Sequence, residues 1–173
     1  MLYIFPTETC YGLGCSAFDV KGINEIYKIK KRAKNKPLLV LVSDFKMWRK
    51  IAKVNKTALK LAEKYWPCAL TIITEKKKII PDILSKKGIA VRISGNKIVN
   101  LLIKELKAPL IATSANLSGK KEPYSVKEIP EEIKGKVNLV INVGRLKKNL
   151  PSTVVDTRNN KIKIVRKGKI LPQ

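Results

Sequence analysis

Leu38-Leu39-Val40-Leu41-Val42 is an unbroken apolar run in a chain that is 29% charged. A run so short and so uniformly apolar reads as a strand buried on both faces. Before it, Val20 to Lys31 has a helical pattern, with Ile23, Ile26, Tyr27 and Lys30 near one face. The segment between them is basic: Lys30-Lys31-Arg32, Lys34 and Lys36, ending at Pro37. After the run, Asp44 to Ile51 and Lys56 to Tyr65 read as helices, with Ser43 and Asn55 as N-caps and Trp66-Pro67 as the stop. Farther out, strands are expected at Leu2–Phe5, Ala69–Thr74, Ile89–Ile93, Leu110–Thr113, Leu139–Val143, Thr153–Asp156 and Ile162–Val165. Lys97 to Leu106 reads as a helix, and Lys127 to Lys134 as a short one weakened by Pro130. Pro6 to Gly14 reads as a turn-rich loop. The alternation is irregular and the last third is rich in strands. That pattern favours an α/β or α+β sheet of mixed orientation over a regular βαβ series.

Composition narrows the chemistry. The 173 residues fit one domain, and a hydrophobic fraction of 45% suffices for a core. The longest stretch without a charge, Ala108 to Gly119, is 12 residues, too short to span a membrane. There is no histidine, so Ser-His-Asp, Cys-His and His-zinc machinery are excluded. Any general base is a carboxylate, lysine, tyrosine, cysteine or water. Cys10, Cys15 and Cys68 make no ribbon-type metal pattern, and the start Met1 to Pro6 has no basic leader, so a reduced cytoplasmic setting is expected. The net charge of +24 suits polyanionic partners, though scattered lysines also suit a solvated surface. Only six of the 37 basic residues are arginine, the side chain shaped for carboxylate and phosphate.

Five groups carry chemical content. Thr7, Glu8 and Thr9 follow the first strand, with Gly12 and Gly14 permitting close backbone approach. Lys30 and Arg32 are either helix-terminal cations or a phosphate clamp, sharing a side if extended. Thr113-Ser114-Ala115-Asn116 ends a buried strand, where a crevice for a nucleotide often opens. Ser152 and Arg166 close one cavity if their strands are adjacent. Arg92 interrupts the apolar strand Ala90-Val91-Arg92-Ile93 and needs an anionic partner, a structural carboxylate or a ligand. Trp66-Pro67-Cys68-Ala69-Leu70-Thr71 reads as core packing, and Cys10 without a histidine is not read as a nucleophile.

Taken in order, these groups resemble the YrdC/TsaC-type threonylcarbamoyl-AMP synthase family. The matching motifs are Pro6 to Gly14, Lys30-Lys31-Arg32, Trp66 to Thr71, Val91-Arg92, Ser114-Ala115-Asn116 and Ser152 to Asp156. The resemblance implies a single YrdC-like domain over residues 1–173, a twisted mixed sheet flanked by helices with a concave basic cavity. It implies that L-threonine, bicarbonate (or CO2) and ATP become L-threonylcarbamoyladenylate and pyrophosphate, with Mg2+ on the triphosphate. The product would feed threonylcarbamoyladenosine formation in tRNA through a downstream threonylcarbamoyl-transferase complex. On this basis Lys30 and Arg32 are the catalytic candidates. Lys30, Arg32, Ser114, Asn116 and Arg166 would bind ATP, and Thr9, Arg92 and Ser152 would bind threonine. No protein metal ligands and no membrane contact are expected. The sequence departs from the family pattern at Lys36, Leu41 and Cys68, and the form resembled is the short one. The alternatives are a noncatalytic factor for double-stranded RNA or ribosome maturation and, third, a carbamoyl-transfer enzyme.

Overall fold

The computed structural model describes residues 1–172. In chain order the elements are β1 (Tyr3–Pro6), β2 (Tyr11–Gly14), α1 (Val20–Ile29), β3 (Leu39–Val42), α2 (Phe45–Ile51), β4 (Ala52–Lys53), α3 (Lys56–Tyr65) and β5 (Leu70–Lys76). Then come β6 (Gly88–Ile93), α4 (Lys97–Leu106), β7 (Leu110–Ser114), a 3-10 turn (Val126–Glu128), α5 (Glu131–Lys134), β8 (Leu139–Val140), β9 (Thr153–Asp156) and β10 (Lys163–Arg166). The strands form one sheet in the order β10-β9-β5-β6-β3-β7-β2-β1-β8, with β4 beside β5. Pairs β1/β8, β3/β6 and β5/β9 are parallel and the rest antiparallel, so the sheet is mixed. No helix among the described residues is long and apolar enough to cross a membrane.

Period-two alternation divides the two faces. Val40, Val42, Val91, Ile93, Ile111 and Ile4 point into the larger core, shared with α1, α2 and α3. Phe45, Trp48 and Trp66 pack there, with the two tryptophan rings 4.7 Å apart, so Trp66 is a core residue. The opposite side chains, Phe5, Leu41 and Leu110, meet Val99, Leu102 and Ile103 of α4. Residues 99, 102 and 103 form one helical stripe, and burying each contributes about 1.5–3 kcal/mol. On this second face α4 is the helix in the core. Beyond it the register carries Gly12, Leu39, Ala90 and Ala112, small or short enough to leave a hollow.

Three local readings are corrected, and one open choice is decided. Tyr11 to Gly14 is a strand and not a loop. Its glycine is required by pairing: a Cβ on Gly14 would sit 1.8 Å from the Ile111 carbonyl oxygen. Asp44, not Ser43, caps α2, its carboxylate accepting from Met47 N at 2.7 Å while Ser43 Oγ donates to it. The helix expected at Lys127–Lys134 breaks at Ile129-Pro130 into the 3-10 turn and α5. Of the two readings of Lys30-Lys31-Arg32, the helix end holds and the extended form does not: the segment is a Schellman turn, in which Lys31 takes φ 48°, Arg32 N bonds Tyr27 O at 2.9 Å and Lys31 N bonds Lys28 O at 3.0 Å.

Candidate functional site

Two adjoining cavities open around the ends of β7 and β2. The larger, about 750 Å3, is walled by Lys30, Arg32, Ser114, Asn116 and the segment 118–124, with Glu128, Arg145 and Lys148 opposite. The smaller, about 320 Å3, lies on the sheet face left open beyond α4 and is lined by Thr9, Thr71, Arg92, Ser152 and Arg166 among others. Arg32, Ser114 and Glu122 line both and so mark the junction. All eight residues singled out in the sequence line one or both. Arg166 lies in the smaller chamber, with Ser152 and not with Lys30.

The Schellman turn sends Lys31 to solvent while Lys30 goes inward, 1% exposed. Lys30 Nζ donates to Ser114 O, to Asn116 O at 2.5 Å and to Asn116 Oδ1 at 3.1 Å. An ammonium has three donors, so all of them hold this loop. Burial, then the neighbouring Arg32 charge, pulls its pKa down to about 8. Asn116 completes the staple. Its Oδ1 also accepts from Ser114 Oγ at 2.6 Å, and its Nδ2 donates to Lys120 O at 2.5 Å and Lys121 O at 3.1 Å. Arg32 is braced by two donations, Nε to Lys36 O at 3.1 Å and Nη2 to Pro37 O at 3.0 Å. Its other guanidinium donors remain for a ligand.

The smaller chamber is built from strand side chains and from the turns that flank the strands. Thr7 Oγ1 accepts from Thr9 N and Cys10 N, donates to Cys10 O at 2.8 Å and lies 3.0 Å from Thr9 Oγ1, which fixes that turn. The Cys10 thiol is pushed up to about 11, chiefly by burial, so it is protonated near neutrality. A bulge in β10 sets Val165 and Arg166 against Val154 alone and turns Arg166 into the chamber. There its Nη2 donates to Ser152 Oγ at 2.9 Å and its Nε to Ser152 O at 3.0 Å. Ser152 Oγ also lies 3.0 Å from Thr71 Oγ1.

Arg92 is the outlying case. Its side chain is 3% exposed, and its Nε lies 3.6 Å from Glu8 Oε1, too far for a hydrogen bond. Both of those atoms are buried without a hydrogen-bond partner, while Glu8 Oε2 accepts from Ser94 Oγ at 2.7 Å. A buried guanidinium so poorly satisfied is set to receive an anion.

A family model, Sua5/YciO/YrdC, described as telomere recombination, matches residues 1–168. The chain belongs to the Sua5/YciO/YrdC family. A relative from Methanocaldococcus jannaschii is 42% identical over 170 residues, 98% of this chain and 80% of its own. One from Pyrococcus abyssi, named threonylcarbamoyl-AMP synthase, is 34% identical over 158 residues, 90% of this chain and 46% of its own. The crystal structure of P. abyssi Sua5 complexed with L-threonine matches with TM-score 0.91 and 33% identity, covering 96% of this chain and 50% of that one. The chain thus spans most of one relative and about half of the other.

The sequence reading missed several wall residues. Thr71 was legible, because alternation along β5 places it with Ile73 on the face opposite Leu70 and Ile72. Glu122, Tyr124, Arg145 and Lys148 lie in irregular segments, where no periodicity shows which way a side chain faces.

Proposed function

We propose that this chain is an L-threonylcarbamoyladenylate synthase, a nucleotidyltransferase joining L-threonine, bicarbonate or CO2 and ATP with release of pyrophosphate. The observation that carries it is a pair of adjoining basic chambers, the smaller holding a buried arginine paired with Glu8 at 3.6 Å and with its Nε free of any hydrogen bond. Both volumes lie within the ~300–1,000 Å3 of small-molecule sites. ATP takes the larger chamber and threonine the smaller. Arg92 receives the threonine carboxylate, and Thr9 and Ser152 bound the rest of the amino acid. Arg166 acts here through Ser152. Arg32 and Ser114 meet the phosphates and the carbamate at the junction. Lys30 and Asn116 act through the loop they hold.

The reaction suits such a wall. A carbamate oxygen attacks the α-phosphorus and pyrophosphate leaves, so the protein's work is alignment and charge neutralisation. Mg2+ enters with the triphosphate, held by phosphate oxygens and water. Among the described residues no three His, Cys, Asp or Glu side chains gather as a metal site. The product serves threonylcarbamoyladenosine formation in tRNA, through a transferase that accepts the adenylate, in the cytoplasm. The names of the relatives and the threonine complex of a structural neighbour support this over a noncatalytic RNA-binding role. The test is mass spectrometry of nucleotides after incubation with ATP, Mg2+, bicarbonate and threonine. An adenylate that appears only with threonine and bicarbonate, with pyrophosphate, is the expected result. Its absence from folded protein that binds ATP would refute the assignment.

A further inference from the structure

Carbamate formation releases a proton, and this chain has no histidine to take it. The junction between the chambers has three shared wall residues: a cation, a hydroxyl and the carboxylate of Glu122. Glu128, in the larger chamber, is already committed, to Arg145 Nη1 at 2.7 Å and to Tyr124 N at 2.7 Å. Cys10 is held protonated by its burial, and the Lys30 ammonium is fully engaged by the 114–116 loop. Tyr124, Cys10 and Arg166 are the electrostatic neighbours of Glu122, and it makes no ion pair with any of them.

We propose that Glu122 holds the amine of the amino acid at the junction and takes the proton this amine sheds as the carbamate forms. The proposal rests on the synthase reading and deepens it. Arg92 and Glu122 then read the two ends of a zwitterion, the carboxylate within the smaller chamber and the ammonium at its mouth. The ammonium gives one proton to the Glu122 carboxylate. The freed amine nitrogen bonds to the bicarbonate carbon. The carbon–hydroxyl bond breaks, and that hydroxide leaves as water with the second amine proton. The carbamate oxygen formed there faces Arg32 and the larger chamber. Glu122 returns its proton to water through the open side of the junction.

The test is Glu122→Gln, which keeps shape and hydrogen bonding but removes the negative charge and the basic oxygen. In the threonine-dependent assay kcat/KM for threonine is expected to fall by ~10²-fold or more, while ATP affinity without threonine does not fall, since the variant takes a negative charge out of a wall of the larger chamber. Glu122→Asp, which keeps the carboxylate, should recover part of the rate. Wild-type kcat/KM in E122Q at every pH would overturn the proposal and leave the synthase reading standing. Equal losses in threonine turnover and ATP affinity would overturn it too, because Glu122 would then only shape the loop that walls both chambers. A wild-type protein that makes no adenylate would remove the reading and the proposal together.

Discussion

The two chambers are made in different ways. The smaller is lined largely by side chains of β3, β5, β6, β7, β9 and β10, whose positions follow from strand register, with Thr9, Arg32, Glu122 and Ser152 added from flanking turns. The larger is a loop, 114–124, held by the Lys30 ammonium and the Asn116 carboxamide, with charged side chains around it. A wall of strands selects by shape and by one buried charge, because strands cannot shift without breaking a ladder. A stapled loop selects by charge and tolerates adjustment. On the proposed assignment the nucleotide, flexible and polyanionic, would meet the second kind of wall, and the small amino acid the first.

Breaking the sheet-built chamber should cost most. Arg92→Gln removes a buried charge whose interaction with an anionic ligand is worth ~2–5 kcal/mol, so kcat/KM for threonine should fall ~10²–10³-fold. ATP affinity, measured by titration, should hold. If ATP affinity falls equally, the chambers are not separate sites. Asn116→Ala strikes the other chamber. It leaves the buried Lys30 short of an acceptor and frees Lys120 O and Lys121 O, a loss of ~1–3 kcal/mol in melting experiments. KM for ATP should rise ~10-fold while threonine affinity stays near wild type.

A pH series sharpens the same contrast. Lys30 loses its proton above about 8, and a neutral amine cannot donate to three oxygens. KM for ATP should therefore climb on the alkaline side of 8, and the threonine site should not follow. Stability moves the opposite way. The folded pKa lies below the unfolded value of 10.5, so the unfolded state binds more protons in that window. The contribution of this group to stability thus rises from about 8 to 10.5. Paired ATP kinetics and melting curves would show the divergence, and parallel loss of both would discount the Lys30 clamp. The smallest effect is expected at Lys31→Gly. A side chain in the left-handed region costs ~1–2 kcal/mol, partly offset by the entropy of glycine, so melting should show a gain of up to ~1 kcal/mol with both affinities unchanged.

The same division explains what was legible in the sequence. Arg92 stood out because a charge in an apolar strand has few explanations. Ser152 and Arg166 could be paired on the premise of adjacent strands, a premise β9 and β10 satisfy. The stapled loop was only half legible. Ser114 and Asn116 end a readable strand, but Tyr124, Arg145 and Lys148 are placed by contacts distant in sequence, such as Leu146 N to Tyr124 O at 2.7 Å. The helix end at Lys30 to Arg32 was legible from its cations, but not the left-handed Lys31, because glycine is the usual residue there. Gly14 was taken for a turn because a glycine required by a neighbouring carbonyl looks the same in sequence as one required by a bend.

The parallel pairing of β5 with β9 has a consequence for how the molecule comes apart. Leu70 lies beside Thr153, and the chamber between them also takes Thr9, Arg92 and Arg166. Its wall is therefore drawn from nearly the whole length of the described chain. Closing contacts between residues so far apart in sequence is slow, and such contacts form when most of the chain is already organised. A fragment that lacks either end of the chain lacks part of this wall. Under gentle denaturant, threonine binding should vanish while the helical circular dichroism signal is still largely intact, so amino-acid capture reports on the integrity of the entire sheet.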